Sequence, residues 1–229
     1  MSMQKKLKFR GIFMLIGFFV LLGIIFSPVF PGKVNGLNYM DNLFNMISKG
    51  SSYFIPETQA KVAKSAGQAI DVKVKMANEK EAADTAKLFA AGGAQVAVTG
   101  AELAIKGDMA QILKNSLDDA DKMFKNDGKF LADKYGMSEQ QVMYSWWNSI
   151  SKISKDLTKQ SKFDQAKVFD NVQKKALEPA YNYYGVKIEN WQENIALVLT
   201  CLAFYVFYTL WYGFGLMYIF EGLGYKIGH

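Results

Sequence analysis

The chain has 229 residues, half of them apolar, with 27 basic and 21 acidic side chains and a formal net charge of +6. One Cys, and one His at the last position, exclude a disulfide framework, a Cys- or His-based metal cluster and a Ser-His-Asp triad. A 21% charged fraction with 14% aromatic residues excludes a disordered chain.

Lys5, Lys6, Lys8 and Arg10 open the chain, and an uncharged run follows from 11 to 32 with its apolar heart at 12–26. Such a run is either a signal peptide or an anchor. Its exit reads Ser27-Pro28-Val29-Phe30-Pro31-Gly32, with prolines and a Phe where a cleavage site needs small residues. The expectation is therefore an uncleaved transmembrane helix over residues 11–30. A second run carries no charge between Glu193 and Glu221, and it predicts a second transmembrane helix over 193–220. Trp191 stands at its start, and Trp211, Tyr212, Tyr218 and Tyr225 lie toward its end, as amphipathic rings do at interfaces.

The basic flank sets the expected orientation. Residues 1–10 become a cytoplasmic tail, 31–192 an extracytoplasmic domain, and 221–229 a short second cytoplasmic tail. The expected location is a membrane, the bacterial inner membrane in particular. The four cationic residues before the first span and Lys226 after the second leave 22 lysines against 19 acids between residues 33 and 192. Much of the basic excess is thus a topology signal, and nucleic acid is not an expected partner. A single Arg in the chain also speaks against polyanion recognition.

Between the spans the periodicity reads as helical, and no hairpin-like alternation stands out. Asn38 is a candidate cap for a helix with Met40, Leu43, Phe44 and Ile47 on one face, closed by Gly50; it would lie on a membrane surface or plug the end of a bundle. Pro56 suits a first helical turn, with a long helix through Ala63, Ile70, Val74 and Ala77. Asp108 is a candidate cap for a helix carrying Ile112, Leu113, Leu117 and Phe124, and Asn126-Asp127-Gly128 marks a turn. Ser138 with Gln141 matches a capping box, opening a helix with Val142, Trp146, Ile150 and Leu157. Asp164 starts another helix, which should bend near Pro179. The expected fold is all-α: two transmembrane helices flanking an extracytoplasmic bundle of four to five helices.

Two seams stand out. Ala83, Ala86, Ala90, Gly93, Ala97, Gly100, Ala104 and Gly107 follow an alternating 3, 4 spacing, which on a helix makes a coiled-coil seam of small residues. Three readings fit: a tight antiparallel contact inside the bundle, a homo-oligomer interface, or a third membrane segment over 88–105 packed by small residues. In the second span, Cys201, Tyr205, Tyr208, Tyr212 and Gly215 share one face, and phenols in hydrocarbon need partners, so this face is expected to pack on protein.

Other candidates carry less. Asp118, Asp119, Asp121 and Asp127 fail the calcium-loop spacing and read as a solvated face. Adjacent rings cannot both enter a core, so Trp146 is assigned to the interior and Trp147 to a partner contact. Cys201 lies in an apolar span, which predicts an inert thiol, and His229 reads as a bystander. No cofactor or metal is expected, and no enzyme, because no nucleophile, metal set or carboxylate pair stands out.

The layout is similar, in architecture only, to the front half of a bacterial chemoreceptor, which implies a sensor. Tails of ten and nine residues are short for an output domain, so such a sensor would signal through a partner subunit. An oligomeric channel or transporter component is a further alternative, although neither span carries a charge to mark an ion path. The leading expectation is a membrane-anchored scaffold or accessory subunit, with the lipid bilayer and other membrane subunits, or a second copy, as partners.

Overall fold

A computed structural model describes residues 3–189 and 191–225. Lys226, His229 and the side chain of Trp191 fall outside that description. The elements in chain order are α1 (Met3–Phe26), α2 (Gly36–Ser51), α3 (Ile55–Ala63), β1 (Ala69–Lys75), α4 (Glu79–Ala91), β2 (Gln95–Thr99) and β3 (Glu102–Asp108). Then follow α5 (Met109–Phe124), α6 (Gly128–Tyr135), α7 (Glu139–Lys159), α8 (Phe163–Val172), a π turn (Gln173–Leu177), α9 (Glu178–Asn182) and α10 (Trp191–Gly222). The protein divides into two compact units, Met1–Ile47 with Glu189–His229, and Ser48–Ile188.

In the first unit, α1 and the Gln192–Gly222 part of α10 are long and apolar enough to cross a membrane. They pack side by side. The Phe18 ring stacks on Tyr208 with centroids 4.2 Å apart and meets Tyr212 at 4.8 Å. Trp211 Nε1 donates to the Met14 carbonyl at 3.0 Å. Glycines permit the close approach, since a Cβ on Gly11 would stand 2.7 Å from the Gly215 carbonyl oxygen. The start of α2 is capped by Asn35, whose Oδ1 accepts the Asn38 backbone N–H at 2.8 Å. Asn38 is therefore the capped residue rather than the cap, and Gly50 lies inside the helix, which runs on to Ser51.

The second unit is mainly helical, but it contains a three-stranded antiparallel sheet of order β1-β3-β2, which corrects the all-α expectation. The helix expected through Ala63, Ile70 and Val74 ends at Ala63, and Ile70, Val72 and Val74 alternate inward on β1. They meet Leu103 and Ile105 of β3, and the core continues through Phe89, Ile112, Leu117, Phe124, Trp146, Ile150 and Phe169. Asp108 caps α5 as its position suggests: Oδ1 accepts from Gln111 N at 2.9 Å and Oδ2 from Gly67 N at 2.7 Å. Ser138 Oγ accepts from Gln141 N at 3.3 Å at the start of α7. Where a bend is expected near Pro179, the helix passes through a π turn (Gln173–Leu177), and Pro179 sits in the first turn of α9.

The small-residue seam from Ala83 to Gly107 is not one helix. Ala83, Ala86 and Ala90 lie on α4, Ala97 on β2, and Ala104 and Gly107 on β3. Gly93 and Gly100 occupy left-handed backbone at φ 79° and 59°, conformations that suit glycine in turns and that no helix contains. The buried stripe of α4 is Ala82, Thr85, Leu88 and Phe89, one position away from the seam. A third membrane helix over 88–105 is excluded by the same β-hairpin.

Candidate ligand pocket around Trp147

Tyr144 and Trp147 stand one turn apart on α7, so their side chains leave the helix on one face. Their rings stack with centroids 6.2 Å apart and planes 28° from parallel. Opposite them, α9 supplies Glu178, Tyr181 and Asn182, and together these five residues line a cavity of about 410 Å³. The π turn before α9 keeps Ala176, Leu177 and Ala180 in the core, and Glu178 faces α7. Trp147 Nε1 donates to Glu178 Oε1 at 3.1 Å, which fixes the indole against the carboxylate. Among the described residues Glu178 has no cation within ion-pair distance. Trp147, Tyr144 and Tyr181 are 36%, 45% and 46% exposed, large aromatic surfaces to leave in water. The set holds aromatic faces, one carboxylate and the Asn182 amide, and a cation would suit both the ring faces and the acid.

The structure distributes the other singled-out residues as follows. Trp146 is fully buried, with its ring 5.0 Å from Phe89. Ala97 and Ala104 are direct partners across the β2–β3 ladder, and Ala83 and Ala90 are exposed on α4. On α10, Tyr208, Tyr212 and Gly215 lie against α1. Tyr205 is 66% exposed, and Cys201 Sγ lies 3.5 Å from Met40 Sδ.

Two interior polar clusters were not visible in the sequence. Asp119 is fully buried, which corrects its assignment to a solvated face. Its Oδ2 accepts from Tyr135 Oη at 2.6 Å and Trp146 Nε1 at 2.9 Å, and its Oδ1 accepts from Lys134 Nζ at 2.7 Å. Burial and the neighbouring Asp119 charge raise the pKa of the Tyr135 phenol far above its ordinary value. Asp121 and Asp127 do pair outside, with Lys125 and Lys122. Lys49 is also fully buried, and its ammonium donates to Asn126 Oδ1, Tyr183 O and Val186 O at 2.9, 2.9 and 2.7 Å. Burial lowers its pKa. All three of its donors are used, so this lysine is a structural clasp. Among the described residues no group of three His, Cys, Asp or Glu is placed to hold a metal.

No protein-family model, curated protein or solved structure matches the chain.

Proposed function

We propose that the protein is a membrane-anchored accessory subunit or scaffold that receives a basic group of a partner subunit in the Trp147 pocket. The observation that carries this reading is the Glu178 carboxylate, which among the described residues has no ion-pair partner, beside three half-exposed aromatic rings. Trp and Tyr dominate the energetics of protein interfaces, and a carboxylate next to their faces selects a Lys or Arg side chain. The two apolar helices would hold the chain in a bilayer, and the basic residues in the first turns of α1 support a cytoplasmic N-terminus with the Ser48–Ile188 unit on the other side. A bacterial inner membrane fits that arrangement. Helix–helix contacts within the membrane would add to the association, through faces of α10 that α1 leaves open, such as that of Tyr205.

The test is extraction of the full chain in a mild detergent followed by native mass measurement. A complex with a second protein is expected, and Trp147→Ala with Glu178→Gln should release that protein without loss of folded structure. Recovery of the chain without a second protein, unchanged by the pocket variants, would overturn the reading. A second reading, a sensor of a small cation, draws on the same cavity, whose size lies in the range of small-molecule sites. It predicts that tetramethylammonium or an alkylamine raises the melting temperature of the full chain, an effect lost in Glu178→Gln.

A further inference from the structure

The sheet has two edges, and the fold treats them differently. The Gly100-Ala101 loop between β2 and β3 has two residues, so the flanking Thr99 and Glu102 form a hydrogen-bonded pair. Bonding then alternates along the ladder. On β1 it turns the backbone groups of Asp71, Lys73 and Lys75 away from β3, and on β2 those of Val96 and Val98.

Side chains of α7 and of Gln160, its C-cap, occupy the β1 edge group by group. Lys152 Nζ donates to the Lys75 carbonyl, Asp156 Oδ2 accepts from Lys73 N at 3.3 Å, and Gln160 Nε2 donates to the Asp71 carbonyl at 3.0 Å. β1 itself carries Asp71, Lys73 and Lys75, charges that discourage strand addition. β2 has neither protection. It reads Gln95-Val96-Ala97-Val98-Thr99, without charge or proline, and no backbone group of Val96 or Val98 bonds outward among the described residues. Val98 lies on the core-facing side of the sheet, yet is 46% exposed.

We infer that the β2 edge is an interface with a second copy of this chain, in which two β2 strands pair antiparallel about Ala97. Antiparallel pairing of identical strands closes on a two-fold axis, so it stops at a dimer. In this register Val96 faces Val98 of the other copy, and each such pair exchanges both of its open hydrogen bonds. Gln95 faces Thr99, a polar match, and the uncharged strand brings no like charges together. The uncovered Val98 side chains gain each other and Val96 as neighbours. Ala97 meets Ala97 at the closely spaced, non-hydrogen-bonded position, with Cα atoms about 4.5 Å apart. The inference needs only the strand and stands independently of what the Trp147 pocket receives.

The geometry gives the test. In the full chain with Cys201→Ser, a single Ala97→Cys should cross-link to a homodimer under mild oxidation, because the expected separation lies in the disulfide range of about 4.4–6.8 Å. Gln95→Cys and Thr99→Cys should cross-link at least tenfold less alone, and readily when the two proteins are mixed. Ala83→Cys, exposed on α4, measures random collision. Adding Val98→Lys to Ala97→Cys should reduce the cross-link at least tenfold, with the melting temperature of the reduced protein reporting that the fold is kept. Equal cross-linking at 83 and 97, insensitivity to Val98→Lys in a folded protein, or capture of a different protein at position 97 would each overturn the inference.

Discussion

The ammonium of Lys49 lies 2.7 Å from the carbonyl oxygen of Val186, 137 residues further along the chain. The contact ties the beginning of the Ser48–Ile188 unit to its end. Asn126 is the hub of the tie. Its Oδ1 accepts from Lys49 Nζ and from Gly185 N at 2.8 Å, and its Nδ2 donates to Val186 O at 3.0 Å. Every acceptor of Lys49 keeps a second donor: Tyr183 O holds Val186 N at 3.1 Å, Val186 O holds Asn126 Nδ2, and Asn126 Oδ1 holds Gly185 N.

That redundancy predicts an inversion of the usual ranking, in which loss of a buried charge is the worst change. Lys49→Met fills the same space, removes a desolvated charge and strands no acceptor, so it should change stability by about 1 kcal/mol or less in either direction. Asn126→Ala breaks three bonds at once, leaves the ammonium short of an acceptor and puts alanine at φ 64°. It should cost about 2–4 kcal/mol. Thermal melting of the full chain in detergent ranks the two, and the opposite order would show that Lys49 is the hub.

Asp119 predicts a different pattern, because among the described residues the buried Trp146 indole has no other acceptor. Asp119→Ala leaves the Trp146 indole N–H buried without an acceptor and the Lys134 ammonium without its carboxylate, at a cost of about 3–5 kcal/mol. Asp119→Asn can keep its oxygen toward Trp146 and Tyr135 and turn its amide toward Lys134, which is partly exposed and can swing to water. It should retain most of the stability. Denaturant midpoints of the two variants should therefore differ by more than the change from wild type to Asn.

The Tyr135 phenol adds a pH dependence. Burial and the Asp119 charge hold its proton more tightly in the folded state, so its pKa is raised on folding. Its contribution is complete below pH 10 and is lost as pH rises above 10, by about 1.4 kcal/mol for each further pH unit. Lys49 acts with the opposite sign, since its lowered pKa makes its contribution grow as pH rises toward 10.5. Tyr135→Phe keeps Lys49, so comparison with wild type isolates the phenol. The variant should be less stable at pH 7 and lose less stability between pH 10 and 11. Parallel curves through that interval would contradict the assignment.

These groups mark where sequence patterns stop being informative. The two long apolar helices are legible because an uninterrupted apolar run is a local property of the chain. The caps at Asp108 and Ser138 are legible for the same reason. β1 reads as helix from Ile70 and Val74 because they are spaced by four, a distance common to one face of a helix and one face of a strand; Val72 between them decides for the strand. The small-residue seam failed because alanine and glycine carry too little side chain to impose a period. Its glycines are used for turns at Gly93 and Gly100. In the pocket, Tyr144 and Trp147 share a helix face by their spacing, but Glu178 reaches them from 31 residues away. Asp119 looked solvated beside Asp118 and Asp121, and only the packing of α6 and α7 against α5 encloses it.

The packing of α1 on α10 yields a prediction with internal controls. All four glycines concerned lie inside these helices, so valine carries the same intrinsic helix preference at each of them. A Cβ on Gly11 would stand 2.7 Å from the Gly215 carbonyl oxygen, and one on Gly215 would stand 2.9 Å from the Leu15 side chain. At Gly23 and Gly213 a Cβ meets nothing within 4 Å. Gly11→Val and Gly215→Val must therefore push the helices apart, at a cost of about 1–3 kcal/mol each. Gly23→Val and Gly213→Val should be close to neutral. Opening of the helix pair would also withdraw Trp211 Nε1 from the Met14 carbonyl, so indole fluorescence should change with Gly11→Val and stay constant with Gly23→Val. Four equal effects would mean that helix propensity alone is being measured and that α1 and α10 do not pack at these glycines.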